Sequence, residues 1–144
     1  MLRYATCVLL SLFTFTVSAE TVLVTGSNRG MGLEFVKQYA DLGWDVIATS
    51  RTPSDDVELQ ELAKENSRIR IESLDVTNVD QLSFLKKEYR NHAIDLVINN
   101  AGLSGDRGKQ AWGQIEKDEF ELLMATNARS EEHTSELQSQ FRIS

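Results

Sequence analysis

Cysteine is almost absent from this chain: one residue, Cys7, in 144. No intramolecular disulfide can form, and Cys7 itself falls in a leader-like segment, so the body carries no thiol. Histidine is as scarce, with His92 and His133 far apart. A Cys/His metal centre needs ligands at close, regular spacing, so no metal is expected. Basic residues are outnumbered, with 15 Lys and Arg against 22 Asp and Glu, for a net charge of −7. That balance argues against nucleic acid as a partner, because phosphate backbones require a basic stripe. The single proline is Pro53. The mostly apolar stretch from residue 4 to residue 17 is short for a comfortable membrane span. What remains is enough length for one domain, with an ordinary 41% hydrophobic content.

The two ends read differently from the body. The start, MLRYATCVLLSLFTFTVSAE, has a basic residue at Arg3, an apolar stretch and the small-residue pattern Val17-Ser18-Ala19. This is the layout of a secretory signal peptide over residues 1–19, implying export to a periplasm, an endoplasmic reticulum lumen or the outside. A buried first strand or helix is the competing reading, and it is weaker because the next strand begins at once. An uncleaved leader acting as a membrane anchor, or a misassigned start in a cytoplasmic protein, are the other outcomes. The far end, RSEEHTSELQSQFRIS from Arg129, has no apolar periodicity. Taken as codons, its first part reads as a widely used sequencing adapter, and Ile143-Ser144 fit the adapter's continuation after a barcode. Residues 129–144 are therefore expected to be a foreign tail, and Glu131, Glu132 and His133 receive no functional role. The natural body is 20–128.

The body alternates strands and helices. A β-branched apolar run at 21–25 predicts a buried strand, and helical spacing of Leu33, Val36, Tyr39 and Ala40 predicts a helix from Gly30 to about Leu42, stopped by Gly43. Further strands are expected at 45–49, 68–74 and 94–98, with helices at about 57–66, 79–89 and 118–127. Residues 51–56 form a loop, and Asp55 and Asp56 read as caps of the helix that follows. A glycine-containing loop is expected at 103–113. The last helix carries Phe120, Leu123, Met124 and Asn127 on one face. Strands separated by helices imply parallel pairing. The fold class is thus α/β, the first four strands of a Rossmann-like, doubly wound sheet.

The stretch TVLVTGSNRGMG, residues 21–32, places three glycines in a strand-to-helix turn. A helix start leaves amide groups unpaired and partially positive, which suits a diphosphate. The spacing G-x-x-x-G-x-G, together with LDV at 74–76 and NNAG at 99–102, closely resembles the short-chain dehydrogenase/reductase family over about residues 21–127. The wording of the turn is most similar to carbonyl-reductase-like and C-factor-like members. The resemblance implies that Gly26, Ser27, Asn28, Gly30, Met31 and Gly32 surround a dinucleotide's diphosphate and adenosine ribose. It implies that Asp75 and Val76 meet the adenine, Asp75 by bonding its amino group. It implies that Asn99, Ala101 and Gly102 stabilise the central strand end and pass beside the cofactor. Asn127 matches the family's helix-bending Asn, which helps hold a proton-relay water. Read alone, Asp75 is a turn or cap residue and Asn127 a helix C-terminal residue.

The choice of cofactor follows from charge. NAD selection commonly uses an acid at the end of the second strand, bonded to the ribose 2′-hydroxyl. Here Ser50 stands about there, with Arg51 next and Arg29 in the glycine turn. Two arginines facing one spot favour a 2′-phosphate, which their planar forks bond well. NADP(H) is therefore expected over NAD(H), unless both arginines are merely solvated.

The family resemblance also implies hydride transfer between the nicotinamide and a carbonyl or alcohol substrate, with a Ser and a Tyr-x-x-x-Lys as reacting partners. Tyr4, Tyr39 and Tyr89 do not fit that pattern, since Gly43 and Ala93 follow Tyr39 and Tyr89 at the fourth position. Of the catalytic set only Asn127 is present, and a fifth strand beside 94–98 is expected to be missing. The chain as given is thus expected to be an inactive N-terminal fragment, marginal or aggregating if made alone. The strand order should begin 3-2-1-4. A non-catalytic dinucleotide-binding module is the alternative, and a sugar epimerase is disfavoured by the glycine spacing. A full-length form would be expected to oligomerise through later helices.

Overall fold

The computed structural model describes residues 19–105 and 116–129. Nearly all of the leader, most of the 103–113 loop and nearly all of the adapter-like tail lie outside the described residues.

Four parallel strands form one sheet in the order β3-β2-β1-β4, as the resemblance implies. Strand β1 (Thr21–Val24) leads to helix α1 (Gly30–Asp41), β2 (Asp45–Ser50) to α2 (Val57–Glu65), and β3 (Ile69–Ser73) to α3 (Val79–Glu88). Strand β4 (Leu96–Ile98) is followed by α4 (Lys117–Met124). The sheet is covered on both faces. Val22 and Val24 pack with Val46 and Ala48 against Leu33, Val36 and Leu59, on the side of α1 and α2. Leu23 and Ile47 point the other way, against Leu82, Leu85 and Tyr89 of the α3 segment. Two buried faces explain why β1 and β2 read as continuous apolar runs rather than as alternating ones. The register pairs Val24 with both Ala48 and Ile98, so the carboxyl ends of β1, β2 and β4 lie close along one rim.

Three local expectations change. The strand expected at 94–98 shortens to Leu96–Ile98, because Ile94 turns into the α3-side core and the Asp95 carboxylate accepts the Thr21 amide at 2.7 Å. Asp56 occupies the N-cap position of α2 but makes no side-chain cap bond; its carboxylate is engaged by Ser50 instead. Asp55 belongs to the short 3-10 turn Pro53–Asp55. The helix expected at 118–127 runs as α-helix only to Met124, then widens into a π-helical turn over Ala125–Arg129. Its expected apolar face is only partly covered among the described residues: Leu123 is half-buried, while Phe120 and Met124 are exposed.

Asn78 caps α3 by accepting the amides of Asp80 and Gln81. Tyr89, buried at the end of that helix, donates to Glu72 of β3 at 2.7 Å. Burial first, and that hydrogen bond second, hold the Tyr89 phenol well above its ordinary range. Thr49 on β2 is wholly buried, and its hydroxyl has no hydrogen-bond partner among the described residues. An unsatisfied buried hydroxyl costs about 1–3 kcal/mol. Thr49→Val is therefore expected to raise the urea unfolding midpoint, with a gain of about 1 kcal/mol; an unchanged or lowered midpoint would contradict this.

Candidate nucleotide-binding site

Parallel strands put their carboxyl ends on one rim, and the chain reverses its winding direction between β1 and β4. A crevice opens outside such a switch point. Here it is a cleft of about 400 Å³. The glycine turn after β1 forms its floor.

The turn is shaped by steric necessity. Gly26 and Gly30 have φ of +66° and +58°, which side chains rarely tolerate. A Cβ on Gly26 would also meet the Ala101 Cα at 2.8 Å, whereas one on Gly30 would point into open space. Gly32 is needed for close approach: a Cβ there would lie 2.2 Å from the Gly26 carbonyl oxygen and 2.5 Å from Asn100 Nδ2. Helix α1 starts from Arg29 with extended backbone, no side-chain cap and no acidic residue in its first turn. Its first amides and its positive dipole end therefore remain available to an anion.

Asn100 knots the turn to β4. Its Nδ2 donates to the carbonyls of Thr25 and Gly26 at 3.1 and 3.0 Å. The amides of Asn100 and Ala101 both donate to the Thr25 hydroxyl at 3.0 Å. The sequence reading gave Asn99 a share in this task, but Asn99 is exposed and does not line the cleft. Successive residues of an extended chain face opposite sides, and the sequence did not fix which of the pair turns inward.

The remaining sequence-derived residues sort by position. Gly26, Asn28, Arg29, Gly30, Met31 and Arg51 line the cleft on the side of the turn and β2. Asp75 and Val76, after β3, and Ala101 and Gly102, after β4, line it too. Ser27 does not: it is wholly buried, its hydroxyl donates to the Val24 carbonyl at 2.8 Å, and its amide donates to the Thr49 backbone carbonyl at 2.8 Å. Gly32 is likewise packed beneath the turn. Asp75 does two things, because Oδ1 also accepts from the amide and hydroxyl of Thr77 at 2.9 and 2.7 Å, which closes a turn. Thr25, Asn100 and Thr126 were missed. Each is polar and buried or half-buried at a strand or helix end, a signal visible only once burial is known. Arg29 and Arg51 make no ion pair among the described residues.

Asn127 sits in the π-helical turn. Its side-chain amide reads the backbone of Leu103 twice, accepting from the N–H and donating to the carbonyl, each at 2.7 Å. This pair clamps the chain after β4 to the end of α4. A second cavity of about 960 Å³ opens beside it, sharing Arg29, Gly102, Leu103 and Leu122 with the cleft. Among the described residues no group of three His, Cys, Asp or Glu side chains is placed to hold a metal, and no helix is long and apolar enough to cross a membrane.

The lining of the cleft suits a phosphate-bearing ligand. It joins a helix start without a side-chain cap, a glycine with open space before it and two arginines that make no ion pair among the described residues. The fold is that of a doubly wound α/β protein. The family model for short chain dehydrogenase matches residues 20–140, and the chain belongs to that family. The match continues into the segment that the codon reading sets apart as foreign.

Among curated proteins, the chain is 32% identical over 122 residues to (-)-isopiperitenone reductase of Mentha piperita, covering 76% of this chain and 38% of that protein. Among solved structures, it is similar to a short-chain dehydrogenase/reductase from Burkholderia multivorans with bound NADP. That match has 33% identity and a TM-score of 0.76, covering 85% of this chain and 53% of the other. It is also similar to NADPH-bound carbonyl reductase from chicken fatty liver, with 28% identity and a TM-score of 0.73, covering 83% of this chain and 46% of the other. The chain thus spans well under two thirds of the length of these relatives.

Proposed function

We propose that the full-length protein carrying this chain is an NADP(H)-dependent oxidoreductase that moves hydride between the nicotinamide and a small carbonyl or alcohol substrate. The observation that carries the reading is the convergence of the uncapped α1 start, Arg29 and Arg51 on one cleft. The names of the relatives, dehydrogenases and reductases with NADP or NADPH in two of the solved structures, support the same reading.

In this reading the amides at the start of α1 bind the diphosphate, as backbone donors do at helix starts. Asp75 keeps one carboxylate oxygen for the Thr77 turn and offers the other towards the base. Arg29 and Arg51 bind the 2′-phosphate. Ala101 and Gly102 let the cofactor pass β4 without a bulky side chain in the way. A nicotinamide held there would donate or accept the hydride. Asn127 holds the 102–104 backbone in place at the boundary between cleft and adjoining cavity, where the substrate is accommodated. Tyr39 packs edge-on against Trp44, and Tyr89 is committed to Glu72, so neither serves as acid or base there. The proposed leader would export the protein or anchor it, residues 129–144 are proposed to be foreign, and homo-oligomer formation belongs to the same proposal.

Titration of the full-length protein with NADPH and with NADH, followed by nicotinamide fluorescence, tests this. NADPH is expected to bind at least about tenfold more tightly, the equivalent of one charge-assisted hydrogen bond. Failure of both dinucleotides to bind would refute the nicotinamide reading. Equal binding would refute only the preference. A dinucleotide-binding protein without hydride transfer would be distinguished by a single-turnover assay with NADPH and simple ketones.

A further inference from the structure

Strand β2 ends at Ser50, where an acidic residue would meet a ribose 2′-hydroxyl in an NAD-selective site. No acid stands there in the sequence, yet the fold brings one. The chain leaves the strand, passes through the Pro53–Asp55 turn and returns, so that the half-buried Asp56 accepts the hydrogen bond of the Ser50 hydroxyl. Ser50 Oγ is in turn an acceptor for the Thr52 amide, at 3.3 Å. Ser50, Arg51 and Thr52 line the cleft, and Asp56 reaches it only through its bond with Ser50. The loop has other anchors: Gln60 Nε2 donates to the Pro53 carbonyl at 2.6 Å, and the Asp55 amide to the Thr52 carbonyl at 3.0 Å. Asp56 is therefore not the loop's sole support.

A serine hydroxyl has one proton to give. While Asp56 holds it, Ser50 offers the cleft only acceptor character. A 2′-phosphate is itself acceptor-only, so it gains nothing from Ser50 in that state. A 2′-hydroxyl carries a proton and can donate. We infer that Asp56 is a specificity-determining residue that restrains the preference for 2′-phosphorylated dinucleotides by retaining the Ser50 proton. Arg29 and Arg51 supply the attraction to the phosphate, and the Ser50–Asp56 pair limits it. The inference rests on the nicotinamide-dinucleotide reading above. It reverses the role of Asp56 expected from the sequence, where helix capping was the reading.

The test is a pair of binding titrations, with NADPH and NADH, on the full-length protein and its variants. Asp56→Ala releases the hydroxyl and is expected to raise the NADPH-over-NADH affinity ratio about tenfold, the worth of one charge-assisted hydrogen bond. Asp56→Asn keeps a neutral acceptor for the same proton, so its shift should have the same sign and be smaller. In a Ser50→Ala background the Asp56→Ala shift should vanish to within about twofold, because the pair acts as a unit. Unfolding midpoints report whether each variant is folded, and Asp56→Asn carries the test if Asp56→Ala is not. An unchanged or lowered ratio would overturn the inference, as would an equal shift in the Ser50→Ala background. Wild-type protein that binds neither dinucleotide would instead remove the underlying reading, and that result is seen before any variant is made.

Discussion

Gly32→Ala is expected to destroy dinucleotide binding and to destabilise the fold by about 3 kcal/mol, the upper part of the range for forcing atoms into a packed interior. The added methyl has nowhere to go. It would lie 2.2 Å from the Gly26 carbonyl oxygen and 2.5 Å from Asn100 Nδ2, and neither is the free end of a flexible side chain. Moving the Gly26 carbonyl breaks its bond from Asn100, and Asn100 is what holds the turn to β4. Gly26 cannot yield either, since its own α-carbon faces Ala101. One methyl group thus disturbs the β1 turn, the start of α1 and the end of β4 together. Urea denaturation of the full-length protein, paired with NADPH titration, checks both parts. A variant with the wild-type midpoint and affinity would mean that the turn does not have this geometry.

Arg51→Asp is expected to invert the cofactor preference. Loss of one arginine–phosphate contact removes about 1.5–3 kcal/mol, or roughly tenfold to a hundredfold in affinity for NADPH. The new carboxylate adds repulsion against a 2′-phosphate and offers an acceptor to a 2′-hydroxyl, so NADH affinity should hold or improve. Arg29, which lines the same cleft, remains and sets a floor on the loss. Dissociation constants for both dinucleotides measure the ratio directly. A ratio unaffected by the substitution would show Arg51 to be a solvated surface residue. The stabilising Thr49→Val and the ratio-raising Asp56→Ala move different observables, so the four variants do not stand in for one another.

The sequence and the structure part company at specific residues. The alternation of strand and helix and the glycine turn were legible because each is written in local periodicity or in residues with restricted backbone choices, whereas the strand order came from the family resemblance. Asp56 was misread because a carboxylate just before a helix is ordinarily its cap; contact with Ser50 depends on how the 51–56 segment folds back. Asn99 and Asn100 are adjacent and identical in type, so only the register of β4 against β1 could show that Asn100 reaches the turn. Ser27 and Gly32 belong to the motif, yet they serve the turn from beneath it. The expected apolar face of α4 held only in part, because helical spacing says which residues share a side, not what that side meets.

By itself the sequence determined the fold class and the glycine turn. Runs of β-branched residues between amphipathic helices admit little besides a parallel sheet, and glycines at Gly26 and Gly30 are what positive φ demands. Tertiary structure alone decided how the polar groups are partnered. The bonds from Asn100 to the glycine turn join residues 74 and 75 positions apart, and the clamp between Asn127 and Leu103 spans 24. Such pairings are set by strand register and by packing against neighbours, which no local window of sequence contains. The same is true of Asp56: its charge was visible from the start, but its place at the end of β2 is a property of the folded loop.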